Sequence, residues 1–186
     1  MHSEGFPPIA RRDARVLILG SLPGQESLRR RQYYAQPRNA FWPIMEALCG
    51  AGPSLAYRAR ARRLAAAGLA LWDVCASAHR AGSLDASIDP KSVIVNDFAT
   101  FLAAHRSIRL VCFNGRTAAA LYRRHVLPAL PPAHAALPML ELPSTSPAHA
   151  ALRLGQKLER WRAVGAALGA PGPARRRRAA YSALRS

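Results

Sequence analysis

Lysine is nearly absent from this chain of 186 residues: Lys91 and Lys157 stand alone among 27 basic residues, and the rest are arginine. Acidic side chains are scarce as well, ten in all, which leaves a formal charge of +17. Such a field favours polyanions as partners, and the planar arginine fork suits phosphate because it donates two parallel hydrogen bonds. An Ala- and Arg-rich composition also follows from a genome's base bias, so charge names a partner class and no chemistry.

Cysteine is sparse and unpaired. Cys49, Cys75 and Cys112 are odd in number and widely spaced, with no C-x-x-C pair, which excludes a disulfide framework and a zinc site and fits a reducing compartment. Cys75 and Cys112 lie in apolar runs and are expected to be buried, inert thiols. No apolar stretch of signal-peptide length precedes the first strand and none later reaches membrane-span length, so a cytosolic protein is expected.

What is present is a core-forming pattern. Half the residues are hydrophobic, enough for one domain. Arg15 to Gly20, Leu69 to Trp72, Leu110 to Phe113 and Met139 to Leu142 are short apolar runs of the kind that form strands buried on both faces. Helical spacing appears between them: Phe41, Ile44, Met45 and Leu48 after a capping Asn39, then Leu55 to Ala67, Val93 to His105, Thr117 to Val126 and Leu152 to Leu168. The alternation predicts an α/β fold of three α/β/α layers around a central four-stranded parallel sheet. Residues 1–14 read as an N-terminal extension, 15–169 as the domain, and 170–186 as a disordered basic tail ending a Pro- and Gly-rich stretch with Arg175 to Arg178. Pro128 to Pro138, with four prolines, reads as a stiff loop.

Ligands of such sheets bind beyond the carboxyl ends of the strands. The stretches to weigh are therefore Gly20 to Gly24, Asp73 to Ser83, Asn114-Gly115 and Pro143 to His149. The first lacks the G-x-G-x-x-G spacing, has no Gly-Lys-Ser/Thr ending, and is not expected to open directly into a helix, so phosphate cradling for a nucleotide cofactor is poorly supported.

Several of these segments together resemble one family. Val16 to Gly24, Tyr33 to Trp42, Phe113-Asn114-Gly115 and Leu142 to Ala148 are similar, in order and at the strand ends, to the motifs of the uracil-DNA glycosylase superfamily, and Gly82-Ser83-Leu84-Asp85 resembles its hypoxanthine (deoxyinosine) branch. The resemblance spans about Val16 to Trp161. It implies hydrolysis of the N-glycosidic bond of a deaminated base flipped out of DNA, hypoxanthine or uracil, in base-excision repair.

The same resemblance suggests roles. Asn39 matches the asparagine of Pro-x-Asn-x-Phe-Trp and would be the catalytic residue, positioning the attacking water; as a bare residue it reads equally as a helix cap. Tyr34 would stack on the extruded base, with loop packing as the plain reading. Asp73 lies where an amide reads the uracil edge; a carboxylate accepts hydrogen bonds only, unless protonated, and so suits a purine lactam offering N1–H. Ser21 and Asn114 complete the base-binding set, while Phe41 and Trp42 anchor the loop in the core. Ser144, Thr145 and Ser146 would contact the flanking phosphates, and His149 lies where the family inserts a wedge into the duplex.

Two positions depart from the uracil-specific pattern. Leu22 stands where that branch carries its water-activating Asp, and Leu142 where it carries a catalytic His. The losses point to the hypoxanthine branch, which does without both, and they equally fit a catalytically inactive DNA-binding member; a uracil or mismatched-thymine glycosylase is the other alternative. Neither lysine matches a site motif, so a Schiff-base lyase is not expected and the reaction is monofunctional hydrolysis. Three scattered cysteines cannot supply the four ligands of an iron–sulfur cluster. No cofactor and no metal are expected, and the protein should act as a monomer on DNA in the cytoplasm, associated with the nucleoid.

Overall fold

The computed structural model describes residues 2–169. The tail expected at 170–186 lies outside them.

Four parallel strands form the central sheet: β2 (Val16–Gly20), β3 (Leu69–Asp73), β6 (Leu110–Asn114) and β7 (Met139–Leu142), in the order β3-β2-β6-β7. Side chains of β2, β3 and β6 alternate between two separate cores, whereas the edge strand β7, expected to be buried on both faces, gives only Leu140 and Leu142 to one of them and leaves Met139 and Glu141 exposed. On one face Leu17, Leu19, Ala70, Trp72, Val111 and Phe113 pack against α4 (Phe98–Ala104) and α5 (Arg116–Leu121). On the other, Val16, Ile18, Leu69, Leu71 and Cys112 meet α2 (Phe41–Cys49), α3 (Tyr57–Ala66) and α7 (Leu154–Gly169). This is the three-layer sandwich that the apolar runs imply, because a parallel strand covered on both faces has no polar side.

The last helix is tied down at its C-terminal end. Arg15, just before β2, donates to Leu168 O, and Arg109, just before β6, donates to Ala167 O at 2.6 Å. Cations on the free carbonyls of a helix end satisfy acceptors that have no partner within the helix.

Several local expectations are corrected. Residues Val93 to His105 do not form one helix: Ile94–Val95 is strand β5, and α4 begins only after Asp97, whose carboxylate accepts from Thr100 N at 3.0 Å. The β-branched run Val93-Ile94-Val95 prefers a pleated strand, and Asp97 supplies the cap. β5 joins β4 (Cys75–His79) and β1 (His2–Glu4) in a small antiparallel sheet, order β1-β4-β5, so part of the 1–14 segment is built into the domain. Gly24 does lead directly into a helix, α1 (Gln25–Arg30), contrary to the expectation; Gly24 has no side chain with which to cap it, which is why the signal is weak. Thr117 to Val126 continues from α5 into a widened turn, Tyr122–Val126. The proline-rich loop holds a short helix, α6 (Pro132–Ala135).

The chain leaves β2, runs to β3 on one side, then crosses to β6 on the other. The crevice between the ends of β2 and β6 is the topological switch point where doubly wound sheets bind ligands. Gly20-Ser21 and Asn114-Gly115 lie there.

Candidate active site

Three loops are stitched together at that crevice. Asn114, the last residue of β6, donates from Nδ2 to Thr145 Oγ1 at 2.8 Å and accepts from Thr145 N at 2.8 Å. Thr145 O in turn accepts from Ala40 N at 2.9 Å, the residue after Asn39. The Asn39 loop, the β6 end and the Ser144–Ser146 loop therefore share one hydrogen-bonded frame.

Asn39 caps by a different route than expected. The residue preceding α2 is Ala40, and Asn39 Oδ1 accepts from Phe41 N at 3.0 Å, two residues on. Asx turns of this kind fix the side chain through its oxygen. Phe41 and Trp42 are buried as expected, and Trp42 Nε1 donates to Tyr33 O at 2.9 Å, which anchors the loop from below.

A second group surrounds Gly20. A Cβ placed there would lie 2.3 Å from Asp73 Oδ1 and 3.0 Å from the Tyr34 hydroxyl, so both polar ends converge on the one position in β2 that has no side chain. Tyr34 holds φ at +53°, a left-handed backbone, and its ring stacks on Phe41 with centroids 4.0 Å apart. One ring face is thus already covered. Burial and the adjacent Asp73 push its phenol pKa well up, and the Asn114 amide, close by, pulls it partly back.

Asp73 is the most perturbed carboxyl of this group. It is 3 % exposed, its Oδ2 has no hydrogen-bond partner, and burial followed by the charge of Asp85 pushes its pKa up to about 8, against the lowering pull of Arg80. A buried polar atom without a partner costs free energy, and a carboxyl with a strongly raised pKa in a crevice is a candidate for ligand contact.

Ser21 is buried, and its hydroxyl lies near enough to the Asp85 carboxyl to pull that group's pKa down against the raising effect of burial. Arg80 is a functional candidate that residue patterns missed, and Asp85, noticed only as the end of the Gly82 to Asp85 motif, joins it here. Arg80 is 2 % exposed and holds the first-motif loop: it donates to Leu22 O at 3.3 Å, to Pro23 O and to Gly82 O at 3.2 Å, with Asp85 Oδ1 at 3.7 Å. Because its hydrogen-bonding partners are backbone carbonyls, no side-chain motif announces it. Ser83 Oγ accepts from Gln25 N at 3.0 Å, so the Gly82 to Asp85 segment lies directly on the Gly20 to Gly24 loop.

The Ser144–Ser146 loop is folded on itself. Ser144 Oγ accepts from Ser146 N and Ser146 Oγ from Ala148 N, both at 3.2 Å. Thr145 is 1 % exposed and spends its side chain on Asn114, so it braces the loop from inside and its side chain is not placed for a phosphate. His149 N donates to Ser146 O, while the ring's Nδ1 is buried without a partner. Lys157, also missed, is 4 % exposed and donates from Nζ to Ser146 O at 3.3 Å; one turn on, Trp161 Nε1 donates to Pro143 O at 3.0 Å. The i, i+4 spacing of Lys157 and Trp161 was the available signal that α7 supports this loop.

The two departures are also explained. Leu22 packs with Cys75, Ala78 and Ile88, and Leu142 lies in the core against α2 and α7. Neither position is a vacant polar site.

Comparison with known proteins identifies the family and the fold. Residues 7–165 match the model of the uracil DNA glycosylase superfamily. A hypoxanthine DNA glycosylase of Methanosarcina acetivorans is 38 % identical over 119 residues, 63 % of this chain and 74 % of that protein. One from Methanosarcina barkeri is 37 % identical over 117 residues, 62 % of this chain and 73 % of that protein. A Methanosarcina acetivorans protein solved by solution NMR, and provisionally named a uracil DNA glycosylase, superposes with a TM-score of 0.74 at 33 % identity, covering 90 % of this chain and 99 % of that one. This chain belongs to the uracil DNA glycosylase superfamily.

Proposed function

We propose that the protein is a monofunctional deoxyinosine glycosylase: it takes a hypoxanthine nucleotide out of the DNA stack and hydrolyses the N-glycosidic bond, leaving an abasic site. The observation that carries the reading is Asp73 Oδ2, buried without a partner where the Tyr34 hydroxyl and the Asn114 amide also converge. The names of the two Methanosarcina relatives support the choice of base.

Extruding a base costs about a few kcal/mol, which the pocket must recover by stacking and edge hydrogen bonds. Tyr34 offers the ring face not covered by Phe41. Asp73 and Asn114 meet the polar edge of the base, and Ser21 lines the same rim. Asn39, held through Oδ1, keeps Nδ2 for the reacting centre, where it orients water or the departing base. Since Leu22 and Leu142 supply no acid or electrophile, the rate must come from fixed dipoles that stabilise charge as the bond breaks. Ser144, Ser146 and His149 lie on the loop that would meet the flanking phosphates and the duplex. The protein works as a monomer, and its excess of arginine holds it on chromosomal DNA; among the described residues no helix is long and apolar enough to cross a membrane.

The test is a panel of duplexes carrying deoxyinosine, deoxyuridine or a G·T mismatch, treated with alkali after incubation. Strand scission strongest for deoxyinosine supports the reading. Preference for uracil or thymine replaces it with the alternative base, and salt-sensitive binding with no scission identifies an inactive DNA-binding member.

A further inference from the structure

Two carboxyl groups face the consecutive residues Gly20 and Ser21 at the end of β2. Asp73 lies against Gly20, and Asp85 lies near the Ser21 hydroxyl on the segment that Ser83 holds against the Gly20 to Gly24 loop. Their surroundings differ. Burial raises the Asp85 pKa too, but its side chain stays 37 % exposed, and the Ser21 hydroxyl beside it and the Arg80 guanidinium 3.7 Å away both favour its ionised form. Asp73 is 3 % exposed, and its Oδ2 has no partner. Arg80 does not neutralise both: its Nε, Nη1 and Nη2 donate to the carbonyls of Gly82, Leu22 and Pro23, and it makes no hydrogen bond to Asp73. The remaining titratable neighbours of Asp73 are Tyr33, Tyr34, Tyr57 and Cys75, all held neutral by burial that pushes their pKa values up.

One arginine facing two carboxyls gives a neutral cluster only when one carboxyl keeps its proton. Like charges in a shared dry site cannot both persist, and the proton goes to the group with less solvent and fewer partners. That group is Asp73.

We propose that Asp85 is a positioning residue that keeps Asp73 in its carboxylic-acid form, so that the pocket presents one donor and one acceptor, side by side, to the N1–H and O6 of a purine lactam. The inference rests on Asp73 reading the base edge. An ionised Asp73 accepts from N1–H but repels O6, whereas the acid accepts from N1–H and donates to O6. Asp85 touches neither atom. It acts through the proton count of Asp73.

The experiment compares wild type with Asp85→Asn in two measurements. The first is single-turnover cleavage of a deoxyinosine duplex from pH 5.5 to 9. Cleavage by wild type is expected to decline on the alkaline side as Asp73 loses its proton; in the variant, where Arg80 is left unopposed, the decline moves to lower pH, with rates near wild type at the acid end and about tenfold lower at pH 8. The second is carbon-13 NMR titration of the Asp73 carboxyl in the free proteins, its resonance assigned with Asp73→Asn. It is expected to titrate well above ordinary carboxyl groups in wild type and at lower pH in Asp85→Asn. A carboxyl that titrates in the ordinary range, or at the same pH in both proteins, overturns the proposal. If wild type releases no base from deoxyinosine, the proposed function fails and the NMR titration alone decides this inference.

Discussion

Asn114 and Thr145 hold each other by two hydrogen bonds of 2.8 Å each, one in either direction, at the mouth of the crevice. Each removes a buried polar atom's need for water, and Thr145 O passes the restraint on to Ala40. Replacing Asn114 by Ala strands the buried Thr145 N–H. Unfolding in urea is expected to show a loss of about 1–3 kcal/mol. Thr145→Val, which keeps the backbone N–H bond and removes one side-chain acceptor, should cost less. Equal losses in the two variants would contradict a reciprocal pair.

Asn39 separates catalysis from stability. Asn39→Ala loses the bond to Phe41 N, a cap-like contact of about 1 kcal/mol. Its effect on single-turnover cleavage is expected to be on the order of a hundredfold or more, the scale of removing one fixed polar group from a reacting centre. A fall in rate no larger than the fall in stability explains would reduce Asn39 to a cap.

Gly20 is required by space. Its φ is not in the left-handed region, but a methyl group there would meet Asp73 Oδ1 at 2.3 Å and the Tyr34 hydroxyl at 3.0 Å. Gly20→Ala should displace both, cost about 1–3 kcal/mol through overpacking, and weaken binding of free hypoxanthine in calorimetry more than that of undamaged duplex. Unchanged hypoxanthine binding would place the base elsewhere.

The Asp73 carboxyl also sets a pH dependence of folding. Its pKa rises from 3.8 to about 8 on folding, mainly through burial. Between these values the folded chain binds more protons than the unfolded one, so this group's contribution to stability is full below pH 4 and is lost as pH rises towards 8. Asp73→Asn removes the dependence. Thermal unfolding should show the variant gaining more over wild type at pH 8 than at pH 5; the same difference at both pH values would mean that Asp73 is ionised when folded.

The sheet was legible because Val16 to Gly20, Leu69 to Trp72 and Leu110 to Phe113 are apolar without interruption, a pattern that follows from double-sided burial; the edge strand β7, with Met139 and Glu141 exposed, carries it only weakly. The Asn39 loop and Asn114 were legible through motif order. Arg80 and Lys157 were not, because their partners include backbone carbonyls of distant loops; Asp85 was visible as part of a motif, but its pairing with Arg80 exists only on folding. The small antiparallel sheet was hidden for a related reason: His2 to Glu4 is polar, and β5 is two residues long. Thr145 was recognised as part of the site, but its inward side chain depends on Asn114, thirty-one residues away.

The most direct test of the account is mass-spectrometric detection of free hypoxanthine from a deoxyinosine duplex incubated with wild type and with Asn39→Ala. Wild type is expected to release the base stoichiometrically and to leave an intact abasic strand until alkali is added, with release by the variant lower by about two orders of magnitude. No free base from wild type, or equal release from both proteins, would contradict it.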